Sequence, residues 1–155
     1  VGAFGDLGTH VLDLLLWFFS DVESVSATFT KVYNQYPGCE ESGEALIKFK
    51  SGLIASIAAG WIDIAQPYTI FVSGTKAHAR TTNEKLIINE NKDGKKIERI
   101  EENLPETLPH AFDLFLNSLI DTNTKNLVTP KEAAMRSSIM ESIYQSEKEK
   151  KWINI

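Results

Sequence analysis

The sequence holds a single cysteine, Cys39, in 155 residues. One thiol has no partner within the chain, so an intramolecular disulfide, a Cys-x-x-Cys redox pair and a cysteine-built zinc site are excluded, and the usage fits a reducing compartment. Long apolar runs are equally scarce. The longest, Val11 to Phe19, carries Asp13 inside it and falls far short of the roughly 20 residues that cross a bilayer. No basic stretch precedes it, as a secretory signal would require. The expectation is a cytoplasmic protein with no membrane span. Basic residues are outnumbered, 16 Lys and Arg against 21 Asp and Glu for a net charge of -5, and they lie scattered. Without a basic stripe interleaved with aromatics, nucleic acid is not an expected partner. Internal repeats and low-complexity tracts are missing too, which removes the fibrous and disordered classes.

What remains is 43% hydrophobic and 24% charged, the make-up of one soluble globular domain over residues 1–155, large enough to bury a core. Thr9 to Phe19 reads as a helix, because Val11, Leu14, Leu15 and Phe18 fall on one stripe and Leu12, Leu16 and Phe19 widen it. A helix apolar nearly all round needs cover on most of its surface, from a sheet and from something else, which can be another domain. From Val22 to Ile100 the texture is period-two alternation broken by turn residues. Val22 to Val32 is one strand. Ala45–Phe49 and Leu53–Trp61 bracket Ser51-Gly52, residues 68–72 and 77–81 bracket Ser73-Gly74-Thr75, and Leu86–Ile88 is parted from Ile97–Ile100 by Asp93-Gly94. The pattern predicts an antiparallel meander.

Helices return in the last third. Leu108, Ala111, Phe112, Phe115, Leu116, Leu119 and Ile120 match the helical template, with Pro109 placed as a first-turn proline. Thr129-Pro130-Lys131-Glu132 spells a capping box for a helix through Met135, Ile139, Met140, Ile143 and Tyr144 toward Lys148, Lys150 and Lys151, cations that suit its negative end. The fold class is therefore α+β: an open-faced, mainly antiparallel sheet with helices packed on one face. Leu53, Ala55 and Ile57 alternate with Ile54, Ser56 and Ala58, so both faces of that strand are apolar. A second apolar face predicts a homo-oligomer, dimer or tetramer, formed through the open face of the sheet.

Chemistry concentrates at the amino end, in Gly5-Asp6-Leu7-Gly8-Thr9-His10-Val11-Leu12-Asp13. Asp6 and His10 are spaced i, i+4, so on a helix starting near Gly5 an acid and an imidazole stack on one face. Oxidising a carbinol by hydride transfer requires a base for the hydroxyl proton, and histidine titrates in the right range. A neighbouring carboxylate can fix the imidazole tautomer or hold a second hydroxyl. The same residues have a plainer reading, with Asp6 as a helix cap, His10 as a satisfied histidine at a helix start and Asp13 as a polar residue in an apolar run. Spacing alone does not choose between them. Trp61 is open in the same way, between stacking on a sugar ring and packing at a strand end. His78 and His110 have no acidic or cysteine neighbour at ligand spacing, so no metal is expected. Glu40, Glu41 and Glu44 read as a solvated acidic loop. Gly2, Gly5 and Gly8 miss the G-x-G-x-x-G spacing, and Asp6 among them would repel a pyrophosphate, so no cofactor-binding residue is expected in this chain.

Residues 5 to 13 resemble the D-x-G-x-H-x-x-D signature of the Gfo/Idh/MocA oxidoreductases, the glucose-fructose oxidoreductase and inositol dehydrogenase family. Ala45 to Trp61 resembles the family's central hairpin, Ile70 to Arg80 its following strand pair, and Val128 to Trp152 its closing helix, in the family's order and over nearly the whole chain. The resemblance implies the carboxy-terminal, substrate-binding and oligomerisation domain of an NAD(P)-dependent oxidoreductase of a sugar, polyol or related hydroxy compound. It also implies that NAD or NADP is bound mainly by an amino-terminal Rossmann domain absent here. The family's Glu-Lys-Pro motif lies in that first domain, and none of the Glu-Lys pairs here is followed by proline. Carried over, the signature makes His10 the general acid/base and Asp6 its companion at the substrate hydroxyls, both catalytic and substrate-binding, while Asp13 braces the helix. On this view Val1 is a truncation point or an artificial start, and the chain alone has no turnover. A competing expectation is a non-enzymatic oligomerisation or ligand-binding module on the same fold.

Overall fold

The structure is a computed structural model describing residues 1–64, 69–82, 85–121 and 127–155. Its contacts divide the chain into two compact units, Val1–Asp63 with Asn126–Ile155, and Ile64–Lys125.

The first unit opens with a π turn, Phe4–Gly8, that runs straight into helix α1, Thr9–Phe18. Ala3, Gly8 and Thr9 all hold right-handed helical dihedrals, so the two form one continuous helix, starting earlier than the apolar stripe alone indicates. Strands β1 (Val22–Thr30), β2 (Ser42–Phe49) and β3 (Ile54–Gly60) pair antiparallel in sequence order. The Ser51-Gly52 turn is formed as expected, Gly52 taking the left-handed φ of 88° that a side chain would resist. Alternation places Gly43, Ala45, Ile47 and Phe49 inward and Glu44 and Leu46 outward along β2.

Helix α3, Pro130–Glu149, packs on β1, and its capping box is present as read from the sequence: Glu132 N–H donates to Thr129 Oγ1, and Thr129 N–H donates to Glu132 Oε2. It ends at Lys150 in the left-handed region. A two-residue strand β8, Ile153–Asn154, then pairs with Ser24 and Val25 of β1. Because β8 is so short, the Ala27 N–H is left beyond its reach, and Ser146 Oγ of α3 accepts it at 3.0 Å. Phe4, Leu12, Val25, Ile47, Phe49, Ile57, Ile139 and Ile143 form the core of this unit. Helix α1 contributes Leu12 fully, with Val11, Leu15, Leu16 and Phe19 packed alongside. Trp17 and Phe18 stay exposed, so the cover expected for most of α1 is present on one side only.

The second unit is a meander of β4 (Phe71–Ser73), β5 (Ala77–Thr82), β6 (Lys85–Lys92) and β7 (Lys95–Glu101), with helix α2, Ala111–Asp121. Asp93 and Gly94 both take positive φ, the type I′ geometry that a two-residue hairpin needs. Tyr68, the expected start of a strand, lies outside the described residues. Among the described residues the strands form two four-stranded sheets, β3-β2-β1-β8 and β4-β5-β6-β7, where the sequence suggested one meander. Pro109 precedes α2 by two residues, where a first-turn position was expected. His110 caps the helix instead, its Nδ1 accepting the Phe112 N–H at 3.3 Å. Among the described residues no helix is long and apolar enough to cross a membrane.

Candidate active site

The helix that carries Asp6 and His10 begins on a buried carboxylate. Glu40 is 7% exposed, and its Oε1 accepts the Gly2 N–H at 2.7 Å, the Gly5 N–H at 3.4 Å and the Tyr144 hydroxyl of α3. Its backbone carbonyl accepts the Ala3 N–H at 2.9 Å. A helix start presents unpaired N–H groups and a positive dipole end, which a carboxylate satisfies. Burial pushes the Glu40 carboxyl up, but the Tyr144 hydroxyl and the Gly2 and Gly5 N–H groups outweigh it and hold the group below its ordinary value. Tyr144 is pushed up, by burial first and then by the bond and negative charge of Glu40. Gly2 is there for packing: a Cβ on it would stand 2.0 Å from the Glu40 carbonyl oxygen.

Neighbouring Glu41 is 2% exposed and builds a different segment. Its Oε2 accepts the Val32 and Tyr33 N–H groups at 2.6 and 2.7 Å, and its Oε1 accepts the Gln35 N–H at 2.8 Å. These bonds, that from Gln35 above all, hold its carboxyl below the ordinary value. The expectation of a solvated acidic loop is therefore wrong for Glu40 and Glu41. Both are inside because backbone N–H groups converge on them; Glu44, on the outward face of β2, is exposed as expected. Side-by-side acids ahead of a strand carry no signal of such partners: those of Glu40 come from residues far off in sequence, and those of Glu41 depend on how the chain turns between Val32 and Glu41.

On this base Asp6, in the π turn, and His10, in the first turn of α1, lie four residues apart, about one turn along the same helix, and both are exposed. π turns within helices recur at functional sites. Asp6 Oδ2 accepts the indole N–H of Trp61 at 3.3 Å. Trp61 follows β3 directly, is 40% exposed, and meets the Tyr36 ring edge-on with centroids 5.7 Å apart. Periodicity could not have found this link, which spans 55 residues. Asp13 faces α3, where Arg136 Nε lies 3.6 Å from its Oδ1 and Arg136 Nη1 donates to Thr9 Oγ1. Asp13 thus ties α1 to α3.

The remaining histidines lie in the second unit. His78, on β5, has its ring 5.5 Å from that of Phe71, and His110 stacks on Phe112 at the same separation. Among the described residues no three His, Cys, Asp or Glu side chains are grouped to hold a metal. Nor does the helix start fit a dinucleotide phosphate: the N–H groups of Gly2 and Gly5 are already engaged by Glu40, whose charge would repel one.

Comparison with known proteins supplies the context for this geometry. A family profile described as the GFO/IDH/MocA C-terminal domain matches residues 1–80. No curated protein matches the sequence significantly. Among solved structures, an NAD-binding protein from Listeria innocua shares 20% identity over 99% of this chain and 47% of its own, with a TM-score of 0.81. A levoglucosan dehydrogenase in complex with NADH and L-sorbose shares 16% over 99% and 50%, with a TM-score of 0.78. An NAD binding oxidoreductase from Klebsiella pneumoniae shares 18% over 99% and 50%, with a TM-score of 0.74. At these identities the likeness shows the fold. The chain spans about half the length of these proteins.

Proposed function

Because the chain belongs to the GFO/IDH/MocA C-terminal domain family, we propose that it is the substrate-facing domain of an NAD(P)-dependent oxidoreductase acting on a sugar, polyol or related hydroxy compound. The observation that carries this reading is the exposed pair Asp6 and His10, one turn apart on a helix start that buried Glu40 holds in place. A histidine retained only for packing would be sealed among apolar side chains, which His10 is not. That favours an enzyme over a purely structural module.

A nicotinamide, when bound by the full-length protein, would supply the hydride acceptor; this chain's residues would manage the proton and the substrate hydroxyls. His10 takes the proton of the carbinol hydroxyl, and it returns the proton in the reductive direction. Asp6 accepts a hydrogen bond from a substrate hydroxyl and sets the ring's orientation before transfer. The L-sorbose in the levoglucosan dehydrogenase complex belongs to that protein, but its polyhydroxylated chemistry is what an exposed carboxylate beside an aromatic ring suits. The same reading includes a cytoplasmic setting and self-association through the outer face of the first sheet, where Leu46 and Ile54 stand exposed on one side.

The test is a screen of the full-length protein against sugars and inositols with NAD and with NADP, comparing wild type and His10→Ala. Loss of a general base predicts turnover reduced by about 10² to 10⁴-fold with the circular dichroism spectrum intact. Unchanged turnover, or a complete gene encoding no nicotinamide-binding domain, overturns the reading.

A further inference from the structure

We propose that Trp61 positions the Asp6 carboxylate through its indole N–H and, with Tyr36, forms the wall on which the ring of a polyhydroxylated substrate lies. The inference rests on the reading of Asp6 as a substrate-binding group and goes beyond it in assigning these two aromatic residues.

Three observations converge on it. The first is the bond itself, from Trp61 Nε1 to Asp6 Oδ2 at 3.3 Å. It restrains one carboxylate oxygen and leaves Oδ1 for another donor, and a bond to a charged acceptor is worth more than one between neutral groups. The second is exposure. Trp61 and Tyr36 keep 40% and 52% of their surface open although their rings meet edge-on, so neither is spent on the core. Sugars and cyclic polyols present apolar C–H faces rimmed by hydroxyls, and an aromatic face beside a carboxylate matches both parts at once.

The third is how both residues are held. The Trp61 N–H donates to the Glu41 carbonyl at 2.9 Å, while the Glu41 carboxylate gathers the N–H groups of Val32, Tyr33 and Gln35 and so shapes the segment that delivers Tyr36. Backbone and side chain of one buried residue thus fix both aromatic residues. Rim packing alone would need neither the indole bond nor a buried charge beneath the Tyr36 segment.

The test is a double-mutant cycle in the full-length enzyme, using the sugar or polyol that it turns over. Trp61→Phe removes the N–H and keeps a ring. It should lower kcat/KM about tenfold beside Asp6 and less than about twofold in the Asp6→Asn background, because its effect runs through Asp6. Trp61→Ala also removes the wall and should raise KM a further fewfold to about tenfold over Trp61→Phe. Equal effects of Trp61→Phe in both backgrounds overturn the positioning role, and equal KM values for the two Trp61 variants overturn the wall. If Trp61→Phe does not fold, Tyr36→Ala decides: KM raised about fivefold with kcat nearly unchanged supports the wall, and unchanged KM removes it. If wild type turns over no hydroxy compound, the functional reading fails by itself. The indole ¹⁵N–¹H resonance of Trp61 then tests this inference, since it should move in Asp6→Asn and on titration with D-glucose or myo-inositol. A resonance unmoved by both overturns it.

Discussion

Glu40 takes on three donors with a single oxygen, and removing it would strand all three. Glu40→Ala leaves the Gly2 and Gly5 N–H groups and the Tyr144 hydroxyl without their acceptor, and should cost about 1–3 kcal/mol of stability in chemical denaturation. The same residue sets an acid limit. Folding holds the Glu40 and Glu41 carboxyls below their ordinary 4.5, so near that pH the folded chain binds fewer protons than the unfolded one. Their contribution is complete above about 4.5 and is lost as pH falls through the lower folded values. Tyr144 acts at the other end: its value is raised above the ordinary 10.0, so its contribution is complete below that pH and lost as pH rises past it. Denaturant midpoints measured against pH should show both limbs, and Glu40→Ala should flatten each. Of this site, the sequence displayed Asp6 and His10, because i, i+4 spacing is a local signal. Trp61, Glu40 and Tyr144 join them through contacts across 35 residues or more, and Tyr36 through its ring contact with Trp61; no local pattern encodes those.

Elements whose stop and start signals are written in a few adjacent residues were readable in advance. Thr129, Pro130 and Glu132 supply a cap, a fixed φ and a reciprocal acceptor, and α3 begins where they indicate. Thr129→Ala should therefore lower the stability of the chain by about 1 kcal/mol, seen as a shift in denaturant midpoint without a change in slope. The hairpin turns at Ser51-Gly52 and Asp93-Gly94 were legible for the same reason, since positive φ demands particular residues. The division into two sheets was not, because alternation gives each strand its faces but says nothing of which edges pair. Pro109 misled in a related way: proline suits a first helical turn, but the His110 side chain offers an acceptor one residue later and takes the cap. Strand β8 is two residues long, too short for any periodicity to register.

At the scale of the whole chain, the glycine-rich start resembles a phosphate-binding loop in composition while serving the opposite purpose. Its N–H groups face an internal carboxylate, so the 155-residue chain by itself should leave NADH fluorescence unchanged on titration; enhancement with a saturable curve would show a nucleotide site that this geometry does not provide. Trp17 and Phe18, exposed side by side at the end of α1, belong to the same scale, as an apolar surface left uncovered among the described residues.

The bond from Tyr144 to Glu40 closes a span of 104 residues, against 38 for the one from Gly2. Loops of that size are costly to close early, and contacts across them form late. Asp6 and His10 are synthesised before α3, yet the clamp beneath them is completed only when that helix has been made and docked. A chain in which α3 has not yet docked would thus hold both reactive groups on a helix start that lacks the Tyr144 tie to Glu40, and competence for chemistry would rise as that helix packs.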